Sequence, residues 1–246
     1  MPSAPAWPVY PAAPTLRARV TRPTPELSPA LDAEIERLWQ EARRETPALF
    51  NGRVFSVDRI TPDLLEGHWT EYRRVTAQFR APELRPQLDL RPLAVCGVLH
   101  GPGGVVFGRR EARAAYQAGY WQLPPAGSVD SGAALPDGGV DLHRQLLTEL
   151  REELGLNPAD IVSVTPLCLV EHSGSGVLDL GCALETRLPA DAIRRAHRER
   201  GNGEYEALEI VPEAVLAAHV ATLGEALVWS AHPFLEHWRA RQFQMS

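Results

Sequence analysis

The sequence predicts a mixed α/β fold, because apolar strand-like runs alternate with amphipathic helical segments along most of its 246 residues. The run from Leu93 to Leu99 is apolar at nearly every position, as in a strand covered on both faces at the centre of a sheet. Leucines recur at helical spacing from Leu142 to Leu154 and indicate a helix with one buried face. A central strand and a one-sided helix together predict a domain in which helices pack on a sheet.

The composition favours a small-molecule ligand over nucleic acid or a membrane. A formal net charge of -6 argues against binding to a phosphate backbone. No apolar run is long enough to span a bilayer, and the N-terminus lacks the basic and apolar regions of a signal peptide. The three cysteines, Cys96, Cys168 and Cys182, lie in apolar runs without metal-binding spacing, which is typical of reduced core residues. We therefore expect a cytoplasmic protein, and the absence of lysine favours a bacterial, GC-rich genome.

The chain is expected to divide into an N-terminal extension with a small α+β module, residues 1–90, and a main domain, residues 91–246. Residues 1–26 are dense in proline and alanine and are predicted to be extended or draped on a neighbouring surface. A module of this size can scarcely bury its own apolar face. We therefore expect it to dock on the main domain or to form a homodimer.

Local signals predict the individual elements. In the module, Ser28 and Pro29 are a cap and first-turn proline for a helix that continues to Glu45. Two strands, 53–60 and 68–80, should follow, joined by a loop containing Pro62 and Gly67. In the main domain we predict strands at 93–99, 105–108, 162–171, 177–185 and 204–211, and helices at 141–154, 189–200, 213–221 and 224–241.

Three acidic residues crowd the end of the helix that begins near Asp141. Glu149, Glu152 and Glu153 lie at positions i, i+3 and i+4 and therefore share one helical face. Their charges repel one another and meet the negative end of the helix dipole, a penalty that a divalent cation would remove. Mg²⁺ takes oxygen ligands and commonly bridges carboxylates to substrate phosphates. The alternative is a solvated acidic face without a ligand.

The sequence around these acids resembles the Nudix hydrolase signature, G-x5-E-x7-R-E-U-x-E-E-x-G-U with U aliphatic. Its second half is matched by Glu149, Leu150, Glu152, Glu153, Gly155 and Leu156, and Leu123-Pro-Pro-Ala-Gly-Ser-Val-Asp130 precedes it. The arginine of the pattern is Thr148 here, so its usual ion pair to a metal-binding glutamate cannot form. The span from Gly127 to Leu156 holds 30 residues, which places a seven-residue insertion within Ser131 to Gly139 and aligns the early glutamate with Val140.

The Nudix resemblance implies an α/β/α sandwich around a mixed sheet. It also implies that Glu149, Glu152 and Glu153 are catalytic and bind the metal, which would be Mg²⁺ or Mn²⁺. The expected reaction is hydrolysis of a nucleoside diphosphate linked to another moiety.

Five further residues are candidates for substrate binding. Ala126 and Gly127 would form a backbone cradle against the cation and the diphosphate. Arg109 and Arg110 end a predicted strand, where the resemblance makes them candidates for the phosphates or the base, although such a pair is also typical of a solvated sheet edge. Glu171, at another strand end, is a candidate to face the site.

A narrower resemblance concerns the substrate. The segment with Leu38-Trp39 and Leu49-Phe50-Asn51, together with the insertion in the signature, is similar to the Nudix branch that cleaves UDP-glucose and UDP-galactose to UMP and a sugar 1-phosphate. On this interpretation the insertion would contact or cover the sugar. Two alternatives stay open: a weakly active or inactive Nudix-like binding or regulatory domain, and a structural dimerisation protein.

Overall fold

The computed structural model describes residues 7–112 and 117–245. Within these ranges the chain forms seven α-helices and twelve β-strands, and the strands make up two sheets. The mixed α/β class is therefore confirmed. The strands are β1 (Val9–Pro11), β2 (Arg17–Val20), β3 (Arg53–Ile60), β4 (Leu64–Glu71), β5 (Leu93–Gly101), β6 (Gly104–Arg110), β7 (Trp121–Gln122), β8 (Ala126–Ser128), β9 (Gly139–Val140), β10 (Ile161–Glu171), β11 (Leu178–Thr186) and β12 (Tyr205–Val211). The helices are α1 (Pro29–Glu45), α2 (Tyr72–Arg80), α3 (Arg85–Leu88), α4 (Leu142–Leu154), α5 (Ala190–Arg200), α6 (Glu213–Leu223) and α7 (Ala231–Met245).

The larger sheet is mixed and is covered on both faces. Its strand order is β1-β10-β11-β5-β6-β12, with β7 paired to β6 and β8 paired to β5, and β11 runs parallel to β5. Side chains along β5 alternate between the two faces: Val95 packs in one core with Leu150 of α4, and Val98 packs in the other with Phe234 of α7. The predicted α/β/α sandwich with a central β5 is therefore confirmed.

The smaller sheet has the order β3-β4-β2-β9. Each sheet takes one strand from the other side of residue 90. β1 pairs with β10 in the larger sheet, with Val9 opposite Val170, and β9 pairs with β2 in the smaller sheet, with Val140 opposite Ala18. The division of the chain at residue 90 stays a prediction, and the two parts are joined by backbone hydrogen bonds.

The prediction of a strand from 68 to 80 is wrong. β4 begins at Leu64 and ends at Glu71, and the following residues form α2, whose Tyr72, Val75 and Phe79 recur at helical spacing. Gly67 lies inside β4 and not in a loop, because a Cβ at this position would be 2.1 Å from the carbonyl oxygen of Ser56 on β3. Glycine marks a close approach of two strands here.

The sequence correctly predicts the start of α1 and both ends of α4. Ser28 Oγ accepts a hydrogen bond from the Leu31 amide at the start of α1, and Asp141 Oδ1 accepts one from the Arg144 amide at the start of α4. Gly155 ends α4 with φ of 63°, a left-handed conformation that favours glycine. The last helix starts at Ala231 and not at residue 224. Among the described residues, no helix is both long and apolar enough to cross a bilayer.

Candidate active site

The acidic end of α4 borders a cavity of about 430 Å³. Glu149 is partly buried and lines this cavity, while Glu153, one turn later, is fully buried. Glu152 is exposed. The buried positions Leu146, Leu150 and Leu154 turn the helix so that the shared acidic face is divided between the cavity and the solvent.

The backbone of β8 lies directly against these carboxylates. The Ala126 amide donates a hydrogen bond of 2.9 Å to Glu153 Oε2. A Cβ at Gly127 would lie 2.2 Å from the carboxyl carbon of Glu149, so only glycine allows this approach. Pairing of Gly127 with Val95 holds β8 on the central strand. The predicted cradle therefore lies beside the predicted acids.

The Glu149 carboxyl is in an environment that disfavours its charge. Burial is the main cause that raises its pKa to about 7; a hydrogen bond from Gln145 opposes the rise, and the charges of Glu152, Glu204 and Asp130 add to it. The hydrogen bond runs from Gln145 Nε2 to Glu149 Oε1 over 2.7 Å. Gln145 is one helical turn before Glu149, so it orients this carboxylate where Thr148 cannot.

Glu153 is perturbed in the same direction. Burial raises its pKa well above the ordinary value, and the charge of Glu204 adds to this, whereas the Ala126 amide and Arg110 oppose it. Its Oε1 atom is buried and has no hydrogen-bond partner within the described ranges. A buried carboxylate oxygen that lacks a partner is costly unless something binds it.

Glu204 completes the acidic group. It precedes β12 and forms an ion pair of 2.7 Å with Arg110, and both residues line the cavity. The pairing of β12 with β6 sets Tyr205 opposite Arg110 and brings Glu204 to the acidic helix. The sequence shows Glu204 only as the start of a strand, and its link to Glu149 depends on this register.

Two predicted substrate-binding residues lie outside the residues that line the cavity. Arg109 is exposed, pairs with Glu206 at 2.7 Å and lies over the Trp121 ring, as expected for a solvated sheet edge. Glu171 accepts a hydrogen bond of 2.8 Å from the Tyr10 hydroxyl and lines a separate polar pocket with Arg85. Neighbouring strand positions face opposite sides, which separates Arg109 from Arg110.

The donor chemistry fits a divalent cation. Glu149, Glu153 and Glu204 supply hard oxygen ligands, the charge of Glu204 raises the pKa of both other carboxyls, and one buried oxygen of Glu153 lacks a partner within the described ranges. Across residues 7–112 and 117–245, no three histidine, cysteine, aspartate or glutamate side chains are close enough to form a metal site. Mutual repulsion of carboxylates opposes such convergence before a cation binds. Metal binding therefore stays a prediction.

The rest of the cavity includes residues that the sequence did not identify. They include Tyr72 and Phe79 of α2, and Asp179 of β11 and Ser230, which are both buried. Burial raises the pKa of Asp179 to about 6, against a hydrogen bond with the Ser230 side chain. A carboxyl inside an apolar strand such as β11 is a signal that could have identified Asp179 from the sequence.

The chain matches no protein-family model and no curated protein. Among solved structures, it is similar to DR0079 from Deinococcus radiodurans, with 18% identity over 76% of this chain and 99% of that one and a TM-score of 0.47. It is also similar to a MutT protein from Methanosarcina mazei Go1, with 19% identity over 61% and 95% of the two chains and a TM-score of 0.41. A MutT Nudix hydrolase from Burkholderia pseudomallei gives 19% identity, 60% and 97% coverage and a TM-score of 0.37. Likeness at this level identifies no activity.

Proposed function

We propose that this protein is a divalent-metal-dependent pyrophosphohydrolase that cleaves a nucleoside diphosphate linked to another moiety. The observation that carries this proposal is the position of Glu149 and Glu204, from distant segments of the chain, on the lining of one cavity, with the charge of Glu204 acting on the fully buried Glu153. Arg110 adds a cation to the same wall, and Gly127 leaves backbone exposed at the carboxylates. Carboxylates for a metal and an arginine for phosphate are the groups that phosphoryl chemistry requires.

Some of these residues would bind the metal ion, and others would bind the diphosphate. A bound Mg²⁺ or Mn²⁺ would neutralise the carboxylates and polarise the diphosphate and water. Glu153 is oriented by the Ala126 amide, and Glu149 by Gln145. Arg110 is positioned to donate hydrogen bonds to phosphate oxygens in exchange for part of its contact with Glu204. Water adds to one phosphorus, the bridging P–O bond breaks, and two phosphate monoesters leave.

The narrower proposal is a UDP-hexose substrate. Its support is the resemblance in the Leu38-Trp39 and Leu49-Phe50-Asn51 segment, of which Trp39 and Asn51 contact α2 beside the cavity. The Trp39 ring contacts the Tyr72 ring edge-on at 6.4 Å, and Asn51 Oδ1 accepts a hydrogen bond of 2.9 Å from the Arg73 amide at the start of α2. The cavity of about 430 Å³ is within the range of about 300–1,000 Å³ that is usual for small-molecule sites.

The test is hydrolysis of a panel of nucleotide conjugates with Mg²⁺ or Mn²⁺, with products identified by mass. Glu153→Gln and Glu204→Gln should each lower kcat/KM by about 10²-fold or more, because each removes a carboxylate from the metal-binding group. Glu206→Gln is the matched control, since Glu206 is two residues from Glu204 but pairs with Arg109 outside the cavity. Near-normal turnover in both the Glu153→Gln and the Glu204→Gln protein would reject the proposed site.

A Nudix-like binding or regulatory domain is the second candidate. It is favoured by Thr148 in place of the pattern's arginine and by carboxylates that are not yet converged as ligands within the described residues. The two functions differ in one measurement: a binding domain would bind nucleotide conjugates with Mg²⁺ and release no product.

Homodimer formation stays a prediction, to be measured by sedimentation.

A further inference from the structure

The N-terminal part of the chain closes one side of the candidate catalytic cavity. Tyr72, Val75 and Phe79, at positions i, i+3 and i+7 of α2, face the cavity together with Val54 of β3. We call these four residues the α2 wall. Glu149, on α4, borders the same cavity, so the site is formed by both parts of the chain.

The α2 wall packs against α1. Val75 is buried and packs with Ile35 of α1 and with Val54, and the Tyr72 ring rests edge-on against Trp39. The charge of Arg110 acts on the Tyr72 hydroxyl, opposing the rise in pKa that burial causes. The wall therefore lies next to the arginine that we assign to the phosphates.

Apolar and polar side chains from other elements also line the cavity. Leu123, Val228 and Phe234 contribute side chains, and Asp179 and Ser230 supply polar groups. Asp179 is only 8% exposed and shares a hydrogen bond with the Ser230 side chain. A carboxyl group accepts more than one hydrogen bond, so Asp179 can also accept one from a ligand N–H.

We propose that the α2 wall binds the planar heterocycle of the substrate, with Tyr72 and Phe79 against the ring and Asp179 accepting a hydrogen bond from an N–H group of the base. The inference rests on the proposed function and names the part of the substrate that this end of the cavity selects. Aromatic side chains stack on a flat ring irrespective of its substituents. The hydroxyls of a hexose would lose water against the α2 wall without gaining partners, which is unfavourable. The nucleobase, and not the sugar, therefore occupies this end.

The test is calorimetry of the full chain with Mg²⁺ and with AMP, UMP or ribose 5-phosphate, none of which contains an anhydride. The two nucleotides should bind at least about tenfold more tightly than ribose 5-phosphate, which has the pentose and phosphate but no ring. Phe79→Leu should weaken nucleotide binding about tenfold and leave ribose 5-phosphate unchanged. Phe79→Tyr keeps the aromatic face and should retain binding.

Phe50→Leu is the matched control, because Phe50 belongs to the same N-terminal part but is 80% exposed and does not line the cavity. Equal affinity for nucleotides and ribose 5-phosphate, or equal weakening of both by Phe79→Leu, would overturn the proposal. Loss of nucleotide binding in Phe79→Tyr would overturn it as well. Tight nucleotide binding without hydrolysis of any conjugate would reject the proposed function but support the assignment of the α2 wall as the base-binding surface.

Discussion

At the residue scale, Gly127 separates the β8 backbone from the Glu149 carboxylate. Gly127→Ala should lower turnover by about 10²-fold, because the new methyl group must displace the Glu149 carboxylate, which we propose to be catalytic, and small misplacements have effects of that size. The variant should remain folded, since the clash is with the end of a side chain. Steady-state kinetics and circular dichroism measure the two effects.

Gly174→Ala is the control, because a Cβ at Gly174 meets no atom within 4 Å. It should leave kcat/KM unchanged. Equal activity of the Gly127→Ala protein and this control would show that Glu149 does not need its present position.

A second residue-scale prediction concerns the pH dependence of stability. The Asp179 pKa rises from 3.8 unfolded to about 6 in the fold, so the folded state binds this proton more tightly. Ionisation of Asp179 therefore lowers the free energy of unfolding as the pH rises from about 4 to about 6. Above that range the loss reaches about 3 kcal/mol. Asp179→Asn removes this titration, so the variant should gain thermal stability over the native chain at pH 7.5 but not at pH 4.

Asp191→Asn serves as the comparison, since the Asp191 side chain is 96% exposed. Its melting temperature should follow that of the native chain at both pH values within a small offset. A constant difference between Asp179→Asn and the native chain from pH 4 to 7.5 would contradict the assigned proton.

At the element scale, the insertion within 131–139 is tied into the fold, and its predicted contact with a sugar stays a prediction. It contains a short 3₁₀ turn, Ser131–Ala133, and then reaches β9, which adds an edge strand to the smaller sheet. Ala133 is buried, and Arg144 Nη2 donates to the Gly132 carbonyl oxygen. Residues 131–139 are not among those that line the cavity.

Removal of the seven residues 133–139 is therefore expected to destabilise the fold. The deletion removes the pairing of Arg19 with Gly139 and strains that of Ala18 with Val140, so the link between the two sheets weakens. The melting temperature should fall by several degrees, because about 1 kcal/mol corresponds to about 2–4 °C in a chain of this size. Unchanged stability, together with a changed KM for UDP-hexoses, would contradict this prediction and support the sugar-cover interpretation.

At the scale of the whole molecule, the N-terminal part is integral to the larger domain. It supplies β1 to the larger sheet and the α2 wall to the cavity. The Gln78 amide also donates to the Ser175 carbonyl oxygen, 97 residues away, at 3.0 Å. Loss of this part would expose Leu93 and its neighbours to water.

A fragment that begins near Leu88 should therefore aggregate or unfold, and should bind no nucleotide. Expression followed by size-exclusion chromatography and calorimetry measures both properties against the full chain. A soluble and fully active fragment would contradict the assignment of the α2 wall and of β1.

Structural features that depend on residues close together in the chain are predictable from the sequence. The helix ends at Ser28, Asp141 and Gly155 are predictable because capping and left-handed glycine are local chemistry. The central position of β5 follows from an apolar run, and the position of the catalytic candidates follows from acids three and four residues apart. The prediction is wrong at Tyr72 to Arg80, where a short segment satisfies two patterns and packing against α1 selects the helix.

Tertiary structure alone decided which residues share the cavity. Glu204 reaches Arg110 through the register of two strands, and Tyr72 and Asp179 meet near Glu149 from distant segments. The same register turns Arg109 towards solvent and leaves Arg110 in the cavity, although the two are adjacent in the sequence. Contacts between residues far apart along the chain depend on how sheets and helices pack, and local patterns carry no information about that packing.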